Sequence, residues 1–287
     1  MLQRFLSLLG VLLLTLCTLQ AQKLPVLGMV AGPEDDSLLY ASGFRLIGTT
    51  VGNLIAPSFS SEEFDANLKK IRSLKCRLYL CNVLFPASLK IAGPGVDEAR
   101  VMEYLHAVLT RAKKAGVKNL VLGSGGARRL PEDYSREQAK TEFVALAKKM
   151  AIAAKQYGII IILESLNSME TNFLNQLSEA ADVVRRVNHQ NFRLNADIYH
   201  MLKEGESPDE IRRAGDVIVY AEIAEKGQRT VPGVAEDDFR PYLKALKDIR
   251  YRGPLVIEGK AADKKIDWPK AYAFLTAQLK EVFRSNH

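Results

Sequence analysis

Four acidic residues stand at matching places in this chain. Each closes a short apolar run: Glu164 after residues 159–163, Asp197 after 192–196, Glu222 after 217–221 and Glu258 after 254–257. A charge in an apolar strand is costly to bury unless it is paired or bound to a metal. Four carboxylates brought to one point cannot all stay ionised without a cation. An all-oxygen set suits a hard divalent ion, Mn²⁺ or Mg²⁺, better than Zn²⁺, which prefers nitrogen and sulfur. A metal-free polar cluster is the alternative. With a metal, such a site could move a proton next to a carbonyl. A base takes the α-proton, an electrophile holds the enolate oxygen, and an acid returns the proton.

Other elements must bring the four acids together. Runs rich in Val, Ile and Leu cover residues 24–30, 44–51, 76–85, 119–123, 159–166, 192–198, 217–223 and 254–259. They lack the strict alternation of a half-exposed sheet, so they read as parallel strands covered on both faces. Helical periodicity lies between them. One helix opens at Ser60 with acids behind the cap. Others cover residues 96–115, 135–157, 172–187, 208–214, 236–249 and 268–283, and Gly116 and Gly158 stop two of these. Residues 33–41 make a single poor helix. Eight strands, each followed by a helix and joined without a long linker, predict an α/β protein: a single (β/α)8 TIM barrel over residues 22–287. An open doubly wound sheet usually carries a Gly-rich turn after its first strand, and Gly28 and Gly32 do not make one. Gly123-Ser124-Gly125-Gly126 reads as a tight loop after the fourth strand. Active sites of such barrels form at the C-terminal strand ends, where the four acids fall.

Glu164-Ser165-Leu166-Asn167-Ser168-Met169-Glu170 is similar to the E-x-L-N-x-x-E segment of ketose 3-epimerases, a branch of the xylose-isomerase-like TIM-barrel superfamily. Asp197-Ile198-Tyr199-His200 looks like their D-x-x-H. Arg229 with Pro232-Gly233 resembles their R…P-G, and Glu258 matches their last ligand. The resemblance covers the chain in strand order beyond its first residues. It implies a sugar isomerase or epimerase holding a divalent metal at Glu164, Asp197, Glu222 and Glu258. It also makes Glu164 and Glu258 the acid/base pair on opposite faces of the substrate carbon, and sets Asn167, Glu170, His200 and Arg229 against sugar oxygens. Glu222 departs from the pattern, standing where a metal-binding His is usual. Lys260, two residues beyond Glu258, is expected on the same strand face, balancing the added charge or serving as an acid. A 3-keto-glycoside lyase or dehydratase using the same enolate is the second reading. A non-catalytic sugar-binding barrel that lost its metal with the histidine is the third.

Arg4, an apolar run over residues 5–16 and Ala21 before a polar segment describe a secretory signal peptide, residues 1–21. A lipoprotein through Cys17 is weaker, because Leu16 stands where a small residue is expected. The run is short for a spanning helix, so the mature chain is expected to be periplasmic with no integral membrane span. Export favours a free keto sugar or glycoside over a sugar phosphate. Cys76 and Cys81 then remain, on opposite faces of one strand, as buried thiols and not a disulfide. The net charge of +7 is spread over helix faces such as Lys69-Lys70 and Lys113-Lys114, which argues against a nucleic-acid partner. Four histidines are too few for a trinuclear zinc endonuclease on this fold. Of these, His106, His189 and His287 read as structural or surface residues, and Arg128-Arg129 as a surface pair or a contact to an anionic or polyhydroxy substrate. The expected partner is a small carbohydrate, and a homo-oligomer is compatible with the sequence.

Overall fold

A computed structural model describes residues 23–284; the leader expected over residues 1–21 lies outside them. Eight strands run β1 Leu27–Val30, β2 Leu46–Thr50, β3 Arg77–Asn82, β4 Asn119–Leu122, β5 Ile160–Glu164, β6 Phe192–Asp197, β7 Ile218–Ile223 and β8 Leu255–Ile257. All pair in parallel and in sequence order. β1 pairs with β8, Gly28 beside Val256 and Met29 beside Ile257, and this closes the sheet into a barrel.

The helices are α1 Asp36–Ala41, α2 Val51–Leu54, α3 Ser61–Ser73, α4 Glu98–Ala115, α5 Gly125–Arg128, α6 Arg136–Tyr157, α7 Leu177–Val187, α8 Ile198–Glu204, α9 Asp209–Arg213, α10 Arg240–Asp248 and α11 Lys264–Arg284. Their ends follow local chemistry. Ser60 caps α3 in a capping box: Ser60 Oγ accepts from the Glu63 amide at 3.2 Å, and a Glu63 carboxylate oxygen accepts from the Ser60 amide at 2.7 Å. Gly116 and Gly158 end α4 and α6 at φ 73° and 69°, in the left-handed region that costs glycine least.

Three boundaries differ from the sequence reading by four residues or more. α7 begins at Leu177, five residues late, because the asparagine amides ahead of it bond to the backbone instead. Asn175 Nδ2 donates to the carbonyls of Leu166 and Thr171, both at 2.9 Å, and Asn172 exchanges hydrogen bonds with the Leu130 backbone. α10 begins at Arg240 and not Glu236, whose φ is 61°. α11 begins at Lys264, earlier than the apolar pattern indicated. The short helices α2 and α8 form where strand was expected to pass into loop, and α5 where a loop was expected.

Strand residues alternate between two cores. Outward residues such as Leu163, Leu194 and Ile257 pack beneath the helices. Inward residues Leu80, Val121, Ile162, Tyr220 and Val256 form an apolar plug inside the barrel. Cys76 and Cys81 are buried free thiols. Among the described residues, no helix is long and apolar enough to cross a membrane.

Candidate functional site

The inward period of two carries the plug up into a polar layer. Glu164 follows Ile162, Glu222 follows Tyr220 and Glu258 follows Val256; Asp197 likewise follows the inward Asn195. Strand tilt brings residues that are offset in register to one height: Asp197 pairs with Glu222, but Glu164 pairs with Asn195 and Glu222 with Val256. One oxygen from each of Glu164, Asp197, Glu222 and Glu258 lies within 4.8 Å of the others. The first three are buried and Glu258 is partly so.

Each carboxyl is held differently. Asp197 Oδ1 caps α8, accepting from the amides of Tyr199 at 2.8 Å and His200 at 3.2 Å, while Oδ2 is buried without a hydrogen-bond partner. Glu222 Oε1 accepts from the Tyr220 hydroxyl at 2.9 Å and Oε2 from Asn195 Nδ2 at 2.5 Å. Glu258 Oε1 accepts from Asn82 Nδ2 at 2.5 Å, and Oε2 forms an ion pair with Arg229 Nη2. The Glu164 carboxylate accepts no hydrogen bond among the described residues. Gly123 makes room for it: a Cβ there would stand 2.3 Å from Glu164 Oε2.

Burial holds the Glu164 and Glu222 carboxyls well above the usual range, reinforced for both by the charges of Asp197 and Glu258 and for Glu164 also by that of Glu222. Glu258 is pushed up to about 7 by burial, against the pull of Arg229. The donor set fits a hard cation. It is all oxygen, it includes an orphaned buried oxygen, and its charge is otherwise countered mainly by one guanidinium.

His200 Nε2 lies 3.6 Å from both Glu164 Oε1 and Asp197 Oδ2, close enough to suggest a nitrogen ligand. Its hydrogen bonds argue otherwise. The Asn167 amide donates to His200 Nδ1 at 3.1 Å, and Asn167 Nδ2 lies 2.9 Å from the same atom. That side-chain orientation is set by the Met169 amide, which donates to Asn167 Oδ1 at 3.1 Å. Burial lowers the His200 pKa, favouring the neutral ring. With Nδ1 an acceptor, the single proton sits on Nε2, whereas a ligating histidine donates through its other nitrogen. His200 therefore presents an N–H to the site.

A family model described as xylose isomerase-like TIM barrel matches residues 38–279, from α1 into α11. The chain belongs to the xylose isomerase-like TIM-barrel family. Within it, the chain is 36% identical over 129 residues to the L-ribulose 3-epimerase of Methylomonas sp. strain DH-1, covering 45% of this chain and 44% of that protein. It is 28% identical over 143 residues to the D-psicose 3-epimerase of Enterocloster bolteae, covering 48% and 47%. The chain thus spans about half the length of the curated relatives it matches. Among solved structures, a D-psicose 3-epimerase in the presence of D-fructose superposes with TM-score 0.76 at 20% identity, over 90% of this chain and 99% of its own. The 3-keto-D-glucoside 4-epimerase of E. coli gives TM-score 0.72 at 18% identity, over 88% and 99%. At these identities the likeness is one of fold.

The remaining candidates of this xylose isomerase-like chain divide. Glu170 Oε1 accepts from Arg229 Nη1 at 3.1 Å and from Asn167 Nδ2 at 3.2 Å, and the Arg229 guanidinium lies 4.6 Å from the centre of the Tyr199 ring. Asn167, Glu170, His200 and Arg229 therefore form one chain of contacts along the rim. Lys260 corrects its expectation. β8 ends at Ile257, and Lys260 is exposed, with no ion pair among the described residues. Its backbone is what is engaged, bonding to the backbone of Arg229 and Val231, and Arg229 balances Glu258 in its place.

Arg128 is not a surface residue. It is fully buried, and its Nη1 donates to the Glu164 carbonyl at 2.6 Å, while burial lowers its pKa to about 10. Arg129 donates to the Glu170 carbonyl at 2.9 Å. Asn82, Asn195 and Tyr220 escaped the sequence reading because they are not acids. Their signal was the period of two: Asn195 and Tyr220 lie two residues before Asp197 and Glu222, and Asn82 lies two after the inward Leu80.

Proposed function

We propose that this chain is an exported, metal-assisted epimerase or isomerase of free keto sugars. The observation that carries the reading is the four-carboxyl cluster, in which Glu164 and Glu258 share a 4.8 Å envelope with Asp197 and Glu222. A divalent ion held by these oxygens, Mn²⁺ or Mg²⁺, supplies a Lewis acid that polarises a sugar carbonyl. One of Glu164 and Glu258 removes the α-proton and the other returns one on the opposite face. The His200 Nε2–H donates to a sugar oxygen, and Glu170 and Arg229 orient neighbouring hydroxyls. An uncharged substrate suits these surroundings: Glu170 and Glu258 already engage the Arg229 guanidinium, and Lys260 is exposed. The names of the similar 3-epimerases support the same reaction class.

The test is deuterium incorporation from D2O into D-fructose, D-psicose and L-ribulose, by the purified protein with Mn²⁺ or Mg²⁺ added. Exchange next to the carbonyl is expected, and Glu164→Gln and Glu258→Gln should each abolish it while leaving the circular dichroism unchanged. Product analysis, with 3-keto-glycosides included, separates epimerisation, isomerisation and loss of a β-substituent. A metal-loaded protein that exchanges none of these substrates would leave the sugar-binding reading in its place. Export is tested by fractionation: recovery in the cytoplasm with residues 1–21 still attached rules it out.

A further inference from the structure

We infer that Glu225, which does not touch the cluster, is the positioning residue that holds Arg229 against Glu258; its catalytic consequence rests on the function proposed above. Glu225 lies two residues past β7 and is 0% exposed. A buried carboxylate must find partners, and this one finds them in the loop that follows it. Oε1 accepts from the amides of Gly233 at 2.7 Å and Glu236 at 2.9 Å. Oε2 accepts from the Ala235 amide at 2.7 Å and the Thr230 hydroxyl at 2.6 Å. The Glu225 amide also donates to the Thr230 carbonyl at 2.9 Å. Residues 226–236 are thereby wound around one side chain.

Arg229 sits inside that loop at φ 57°, a left-handed conformation that a non-glycine residue keeps only when its surroundings impose it. The loop rests on the segment just beyond Glu258: the Lys260 amide donates to the Arg229 carbonyl at 2.7 Å and the Val231 amide to the Lys260 carbonyl at 3.0 Å. From this backbone position the Arg229 guanidinium reaches Glu258 twice, at its carbonyl through Nε (3.2 Å) and at its carboxylate through Nη2, and reaches Glu170 through Nη1. Without the Glu225 carboxylate, three amides and a hydroxyl lose their acceptor, and only the backbone bonds to Lys260 and from the Glu225 amide are left to hold Arg229 left-handed over Glu258.

Glu225→Gln tests this, because it keeps the shape but turns an NH2 group toward N–H donors. By hydrogen exchange, the amides of Gly233, Ala235 and Glu236 are expected to exchange at least about tenfold faster, while Ile162 and Leu163 of β5 keep their protection. The kcat for deuterium exchange into D-psicose should fall about ten- to hundredfold with a smaller change in KM, the cost of a misplaced group near the chemistry. On an Arg229→Met background the same substitution should add little, since both act through one contact. Unchanged amide protection in Glu225→Gln, or effects of the two substitutions that multiply, would overturn the inference. If Glu225→Gln fails to fold, Thr230→Val removes one donor alone, and it must speed Ala235 exchange and lower kcat or the inference falls. A wild-type protein inert toward every sugar would sink the proposed function and leave amide exchange to decide the role of Glu225.

Discussion

Asn82 and Glu258 meet across the barrel mouth at 2.5 Å, although β1 and β2 lie between their strands. The Asn82 amide fixes one oxygen of Glu258 while Arg229 fixes the other, so Glu258 is clamped where Glu164 is free. Asn82→Leu keeps the volume and removes the donor. The expected result is a fall of about tenfold in kcat for solvent-deuterium exchange, since one oriented hydrogen bond to a charged group contributes roughly 1.5–3 kcal/mol. Equal kcat in variant and wild type would show that Arg229 suffices.

Gly123→Ala asks whether the space beside Glu164 is needed. A Cβ placed 2.3 Å from Glu164 Oε2 must displace that carboxyl. Mn²⁺ affinity, read by titration of the free-ion electron paramagnetic resonance signal, should fall about 10–100-fold, the usual cost of disturbing a ligand's support. Retained affinity would mean that Glu164 is not a ligand.

Glu222→His exchanges an oxygen donor for a nitrogen. Metal preference should move toward Zn²⁺ relative to Mg²⁺, measured as the ratio of the two metals retained after equilibration with equal concentrations of both. An unchanged ratio would place Glu222 outside the coordination sphere.

Protons and metal compete for the same carboxyls. Because Glu164 and Glu222 are raised well above the usual range and Glu258 to about 7, metal uptake must release protons. Mn²⁺ affinity should therefore rise between pH 6 and 8, and the Tm gained on adding Mn²⁺, or lost on adding EDTA, should be larger at pH 8. A metal-dependent Tm gain that shrinks as pH rises contradicts the site.

Glu206 sets a separate pH dependence. Its carboxylate caps α7, accepting from the Leu177 amide at 2.9 and 3.2 Å, and burial raises its pKa to about 7. A folded-state pKa above the unfolded value, about 4.3, means that protonation favours the fold. That contribution is complete below the unfolded pKa and is lost as pH rises through about 7. Glu206→Gln keeps an acceptor without the charge. Its Tm relative to wild type should be higher at pH 8 than at pH 5, and an equal difference at both pH values counts against the assignment.

The strands and their order were legible because parallel strands covered on both faces read as apolar runs, and the acids ending four of them stood out against that background. Asn82, Asn195 and Tyr220 were not, since each is an ordinary neutral residue until its partner is known. The 172–187 pattern ran long for a related reason: apolar spacing does not reveal that Asn172 and Asn175 spend their amides on backbone outside the helix.

By itself the sequence determined the barrel and the acids at the ends of four of its strands. These are local properties, set by hydrophobic period and residue type. The tertiary structure decided how the residues at those ends are held. It turned the His200 N–H inward through Asn167, buried Arg128 behind Glu164, moved the countercharge from Lys260 to Arg229, and wound the loop carrying Arg229 around Glu225. Each depends on a contact between residues distant in the chain or on a backbone angle inside a loop. Barrel closure and strand tilt create those contacts, and periodicity does not record them.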